Sequence, residues 1–302
     1  MTELLPTVAA TAGRILSAPE FQHLAEVPAE TQWFANIDNP QTRRAYQNDL
    51  AGFIRFAGIQ QPTEFRQVTR SHVLAWRADL EKQSLSGSTI RRKLAALASL
   101  FEYLCNQNAV THNPVKGVKR PRVESQTGKT PALSNTQARQ LLDAPAADTL
   151  KGKRDRAILS VLLYHGLRRE ELTNLKVKDF AQADRGGPRM RVWGKGGKVR
   201  YLPIHPTTLE LVATYLEAAG HGASACHWLF QSVSHHQASD SNGGLTPGAV
   251  YSEVVKRYML PLGIQGDNLG PHSLRATAAT CALENQADIA KVQEWLGHAN
   301  IN

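Results

Sequence analysis

RDRAILSVLLYHGLRREELTNLKVKDF, running from Arg154 to Phe180, decides how the second half of this chain folds. Between Ala157 and Tyr164 almost every residue is apolar, so the segment reads as a helix buried on all sides. Gly166 breaks it, a second helix follows at once, and Arg168 stands at the junction. A guanidinium rooted in a buried helix and facing outward can take two oxygens of one phosphate. The competing reading is local: Arg168 at a helix end, paired with Glu171 three residues on. The string by itself leaves both open.

Downstream, RMRVWGKGGKVRYLPI (Arg189 to Ile204) alternates apolar and polar residues around a glycine-rich centre, the pattern of a β-hairpin. Arg189, Arg191, Lys195, Lys198 and Arg200 charge it with no acid between them, which suits a nucleic-acid groove or backbone. Lys195, at the turn, can reach a reacting phosphate and protonate a leaving oxygen. GKGGKVR is not a nucleotide-binding loop, because Val199 follows the lysine where Ser or Thr is needed and Val192 holds the first glycine position.

Two further strings carry the same kind of chemistry. PHSLRATAAT (Pro271 to Thr280) opens a helix with His272 and Arg275 one turn apart on one face, beside helix N-terminal amides that favour an anion. A capped core helix with an incidental histidine is its alternative. EWLGHAN (Glu294 to Asn300) has Gly297 as a helix stop and His298 projecting from the turn, where a capping or surface histidine is the plainer reading. Between hairpin and HSLR, Thr246 and Pro247 open a helix whose apolar face is Val250, Val254, Val255 and Tyr258. Cys226, His227, His235 and His236 lack metal-ligand spacing, so no metal is expected.

Upstream, Ser134 and Gln137 make a capping-box pattern before Ala138, Leu141 and Leu142. NPVKGVKRPRVESQTGKTPALS (Asn113 to Ser134) is too rich in proline, glycine and bases to hold a regular element, so residues 116–133 read as a linker. Lys119, Arg120 and Arg122 either solvate that tether or touch phosphates. Before it lies a helical block over residues 36–115. Asn39 and Pro40 start one helix, lined by Tyr46, Leu50, Phe53, Ile54 and Phe56. Another starts near Ser86 or Ser88, with Ile90, Leu94, Leu97, Phe101 and Leu104 recurring at helical spacing. Arg91, Arg92 and Lys93 ride on the second helix, as a solvated face or as phosphate contacts. Residues 1–35 read as an acidic, mobile leader.

At 302 residues the chain exceeds the usual size of one domain. Lysine and arginine total 35 against 26 acids, a net charge of +9 that favours a polyanionic partner. No apolar run approaches the ~20 residues of a membrane-spanning helix. The N-terminus lacks the order of a signal peptide, and Cys105, Cys226 and Cys281 form no disulfide framework, so a cytoplasmic protein is expected.

HGLRREEL, GKGGK, HSLR and LGHAN, in this order, resemble the motifs of the tyrosine recombinases, the family of phage integrases and Xer-type recombinases. TRRAYQNDLAGFIRFAG (Thr42 to Gly58) and the stretch from Ser86 to Arg122 are similar to that family's N-terminal core-binding domain. The resemblance implies a mainly α fold with a small β-hairpin (α+β). A helical SAM-like domain and a mixed catalytic domain over residues 134–302 would form a C-shaped clamp on double-stranded DNA. Arg43, Arg44, Arg91, Arg92, Lys93, Lys119, Arg120, Arg122, Arg191, Lys198 and Arg200 would be its DNA contacts.

The resemblance further implies that Arg168 and Arg275 clamp the scissile phosphate, Lys195 protonates the departing 5′ oxygen, His272 assists proton transfer or binds the phosphate, and His298 hydrogen-bonds the phosphoryl group. No metal, ATP or other cofactor is called for. The partner is duplex DNA held by a homotetramer on paired sites, with no membrane. The family's nucleophilic tyrosine follows its second histidine motif, and no tyrosine follows Tyr258 in these 302 residues. The expectation is therefore a recombinase whose nucleophile is absent from the chain as given, with a catalytically inactive DNA-binding protein of the same fold as the alternative.

Overall fold

The computed structural model describes residues 17–122, 130–181, 187–233, 243–266 and 269–297. They divide into two compact units, one up to Glu124 and one from Ser125 onward.

The first unit is built from helices α1 (Ala18–Ala25), α2 (Ala29–Ala35), α3 (Pro40–Ala57), α4 (Arg70–Lys82) and α5 (Gly87–Asn106). Helix α3 starts where a side-chain acceptor meets orphan amides: Asn39 Oδ1 accepts from the N–H groups of Gln41 and Thr42, and Pro40 needs no such partner. Ser86 does the same for α5 through the Thr89 N–H. Ile90, Leu94, Leu97, Phe101 and Leu104 of α5 share one core with Leu50 and Phe53 of α3 and Trp76 of α4. Phe53 meets Trp76 edge to face at 5.0 Å. Phe56, expected on the buried side of α3, is instead exposed.

Two expectations for this half need correction. Helix α2 is not part of a mobile leader, because Trp33 is buried in the core and stacks on Tyr46 at 5.7 Å. An indole of that size anchors the segment bearing it. Residues 1–16 lie outside the described residues. The early part of the expected linker is also tied down, since Val118 belongs to this core. Residues 123–129 are not described.

The second unit contains α6 (Asn135–Asp143), α7 (Leu150–His165), α8 (Arg169–Thr173), β1 (Arg189–Trp193), β2 (Val199–Pro203) and α9 (Pro206–Ala219). After these come α10 (Pro247–Ala249), which runs through a π-helical turn (Val250–Lys256) into α11 (Arg257–Met259), and then α12 (Pro271–Glu284) and α13 (Ile289–Leu296). As expected, α7 is buried along its length and stops at Gly166, and it packs on α9 and α12. Two charged residues in its first half, Arg154 and Asp155, are buried as well. Asp155 accepts from Arg154, from Lys151 at 2.5 Å and from the Tyr258 hydroxyl at 2.9 Å, so each carboxylate oxygen is paired.

Strands β1 and β2 form the expected antiparallel hairpin, with Arg191 opposite Tyr201 and Val192 opposite Arg200. Met190, Val192 and Leu202 face the core. Strand alternation then puts Arg200, two residues before Leu202 and opposite Val192, on the inner side as well. The fold is mainly helical with this small sheet, in the class anticipated from the sequence.

Candidate active site

The site is assembled around the C-terminal end of α13. Asp288 caps the start of this helix by accepting from the Ala290 and Lys291 amides, and Gly297 ends it at φ 67, in the left-handed region glycine tolerates. The last carbonyls of a helix lack internal partners and form the negative end of its dipole. Here three guanidiniums answer three consecutive carbonyls. Arg200 Nε donates to Trp295 at 3.0 Å, Arg275 Nη2 donates to Leu296, and Arg168 Nη2 approaches Gly297 at 3.5 Å.

A second knot ties the same arginines to α8. The buried Glu171 accepts from Arg168 Nη1 at 2.7 Å and from the Arg168 amide at 2.9 Å. It also takes both Arg200 Nη groups, at 3.0 and 2.8 Å, in a bidentate pair. Burial would raise the Glu171 carboxyl, but the bonds from Arg200 and Arg168 and the Arg200 charge hold it below its ordinary value. The local reading of Arg168 thus holds, since it does pair with Glu171. The pairing leaves its side chain 33% exposed, so an anchored guanidinium still faces outward.

Arg275 is buried, and its Nη1 donates to the Gly166 carbonyl at 2.6 Å. Burial, with Arg168 and Arg200 nearby, brings it down to about 10, which leaves it cationic at neutral pH. His272, in the first turn of α12, is exposed. The helix therefore directs the two residues expected on one face into different surroundings. Lys195 begins the turn Lys195–Gly197 that joins β1 to β2, closed by the Gly194 amide donating to Lys198 at 2.7 Å. His298 lies outside the described residues, directly after Gly297.

The expected DNA contacts divide in two groups. Arg44, Lys119, Arg120, Arg122 and Lys198 are exposed. Arg91 is exposed with one bond to the Pro121 carbonyl, and Arg43 is exposed while donating to the Ile37 carbonyl. The others are engaged by acids remote in sequence. Arg92 pairs with the buried Asp49 and stays half exposed, whereas Lys93, 17% exposed, turns toward the same carboxylate at 3.5 Å. Arg191 is bonded to Asp179 at 2.8 Å. Arg200 is the clearest correction: 15% exposed and committed to Glu171 and Trp295, it is an internal strut and offers no free surface charge. Sequence reading missed the part of Glu171 as a shared anchor, although its place three residues after a helix-start arginine was a usable signal.

Tyr258, the tyrosine nearest HSLR in sequence, is occupied. Tyr258 donates to Asp155, and burial together with that carboxylate pushes its hydroxyl up to about 12. Tyr251 is exposed, with the Arg169 guanidinium 6.0 Å from its ring. Among the described residues no cluster of His, Cys, Asp and Glu could hold a metal ion, and no helix is long and apolar enough to cross a membrane.

Comparison with known proteins identifies the family. Residues 131–302 match the phage integrase family, and residues 38–108 match the N-terminal SAM-like domain of phage integrases. The tyrosine recombinase XerC of Pelobacter propionicus is 31% identical over 266 residues, covering 87% of this chain and 83% of its own. The fold resembles that of XerH recombinase in a post-cleavage complex with difH substrate (TM-score 0.69, 22% identity, 85% of this chain and 73% of that one). It also resembles lambda integrase in a tetramer bound to a Holliday junction (TM-score 0.64, 16% identity, 91% and 73%). With a family match over residues 131–302 and a relative 31% identical over most of both chains, the chain belongs to the phage integrase family of tyrosine recombinases.

Proposed function

We propose that this protein cuts and rejoins duplex DNA at specific sites, in the cytoplasm, with Arg168 and Arg275 holding the nonbridging oxygens of the scissile phosphate. The observation that supports this reading is the anchoring of both guanidiniums, Arg275 on the Gly166 and Leu296 carbonyls, Arg168 on the buried Glu171 carboxylate with the Gly297 carbonyl 3.5 Å away. Charge fixed before reaction stabilises the pentacoordinate transition state without the cost of reorganising at that moment. Two guanidiniums supply the positive charge, so the proposal involves no metal or cofactor.

In the chemical step the oxygen of a tyrosine from outside these 302 residues attacks phosphorus, forming a phosphotyrosine ester as the bond to the 5′ oxygen breaks. The phenolic proton passes toward His272, and Lys195 gives a proton to the departing 5′ oxygen. His298 donates to the phosphoryl group. Attack by a 5′ hydroxyl of a second duplex reverses the step and joins the strands, and four protomers on paired sites hold the two duplexes together. Tyr258 is not the attacking group, because its hydroxyl is committed to Asp155. The exposed bases of the first unit and linker, Arg44, Arg91, Arg120 and Arg122 among them, contact phosphates of the duplex.

The test uses the full-length protein and duplexes it selects from a random-sequence pool, each nicked so that a cleaved end diffuses away. A covalent protein–DNA adduct that survives denaturation, with a free 5′ hydroxyl, is expected, and Arg168→Ala should form it about 100-fold more slowly. Tight, salt-sensitive binding with no adduct would overturn strand cleavage and leave a DNA-binding protein.

A further inference from the structure

Among the described residues, the Arg200 side chain joins the hairpin that carries Lys195 to α8 and α13. Arg200 lies on the inner side of β2, opposite Val192. Its guanidinium spends both Nη groups on Glu171 and its Nε on the Trp295 carbonyl, reaching partners 29 and 95 residues away. Backbone closes on it from two directions. A Cβ at Gly297 would stand 3.2 Å from Arg200 Nη1, and one at Gly194, the residue before Lys195, would stand 3.4 Å from the same nitrogen and 3.8 Å from Glu171 Oε1. The turn before Lys195, the start of α8 and the end of α13 therefore meet at a single planar group.

We propose that Arg200 is a positioning residue: by gripping Glu171 and the Trp295 carbonyl together, it sets where Lys195, Arg168 and the end of α13 stand relative to the scissile phosphate. Arg200 does not touch the DNA itself. Without it Glu171 retains only Arg168 as a side-chain partner and draws that guanidinium inward, away from phosphate. The hairpin loses its bond to α13, and the turn bearing Lys195 loses its tie to α8. Displacements of about 1 Å at a reacting centre cost on the order of 100-fold in rate. Lysine is an incomplete substitute, since a point charge on a flexible stem cannot form the bidentate pair and hold a carbonyl at once.

This inference rests on the proposed strand cleavage, and its test separates the two. Wild type, Arg200→Ala and Arg200→Lys full-length proteins are compared on the same nicked, selected duplex for affinity, single-turnover adduct formation across pH, and thermal unfolding. Absence of adduct with wild type would sink strand cleavage itself. With wild type active, Arg200→Ala is expected to bind DNA as before yet cleave about 100-fold more slowly, and Arg200→Lys to recover part of the loss.

The pH profile distinguishes positioning from simple support of the fold. Charges facing Glu171 come from Arg168 at the start of α8, Arg200 on β2 and Arg275 on α12. Removing Arg200 lets burial raise the Glu171 carboxyl, so cleavage by Arg200→Ala should fall more steeply than that by wild type as the pH drops from about 7 to about 5. Equal rates for wild type and Arg200→Ala, or a slowed variant with an unchanged pH profile and no recovery in Arg200→Lys, would overturn the assignment. Should Arg200→Ala fail to fold, a folded Arg200→Lys with wild-type rate and profile would do the same.

Discussion

The Arg275 guanidinium donates to the Gly166 carbonyl at 2.6 Å, joining residues 109 apart in sequence. The contact explains why a glycine sits at this turn. Gly166 ends α7 at φ 59, and a Cβ placed on it would stand 2.9 Å from Leu296 Cδ2 and 3.6 Å from Arg275 Cγ. Its missing side chain lets α7, α12 and α13 close on one point, and its free carbonyl fixes the arginine there.

Gly166→Ala should therefore lower stability by more than the ~1–2 kcal/mol of a left-handed residue, because the methyl also collides with Leu296. Denaturant unfolding would measure this. The variant should also lose cleavage out of proportion to DNA affinity, since it displaces Arg275.

Glu171→Gln should destabilise by about 3 kcal/mol or more at neutral pH, because it breaks a buried, bidentate pair from one side. In wild type the folded-state carboxyl sits below its ordinary value of 4.5. Its contribution is thus complete above that value and is lost as the pH falls through the folded-state value. Acid titration of unfolding free energy should show this loss in wild type and not in Glu171→Gln.

His165 makes the opposite kind of prediction. It is buried with Nε2 lacking a hydrogen-bond partner, and burial, with a smaller effect from His205, lowers it from 6.5 to about 4. Between those values the unfolded chain binds the proton that the folded chain refuses, so stability drops as pH falls across the window and is unaffected above it. The total is about 3 kcal/mol at about 1.4 kcal/mol per pH unit. His165→Leu should abolish this part of the pH dependence in urea unfolding.

Arg44→Ala and Arg91→Ala should weaken binding to all duplexes alike and each reduce the slope of log affinity against log salt by about 1. Lys93→Ala, removing a side chain turned toward Asp49, should leave that slope unchanged. Fluorescence titrations over a range of salt would show whether the exposed and the engaged bases behave differently.

What the sequence determined by itself is local. The Asn39–Pro40 and Ser86 helix starts, the stop at Gly166, the hairpin and the ends of α12 and α13 follow from capping groups, glycine and periodicity, and these act within a turn or two of chain. The four motif strings could be found because each pairs a chemical group with such a signal. Which bases are free was decided by tertiary structure alone. The hairpin has no acid within it, yet Arg191 is neutralised by Asp179 and Arg200 by Glu171, while Arg92 and Lys93 meet an aspartate from another helix. Charge read along a chain counts neighbours in sequence, but Coulomb attraction and desolvation act through space. Only folding brings the end of α13 to Arg168, Arg200 and Arg275, turning three separate arginines into one site.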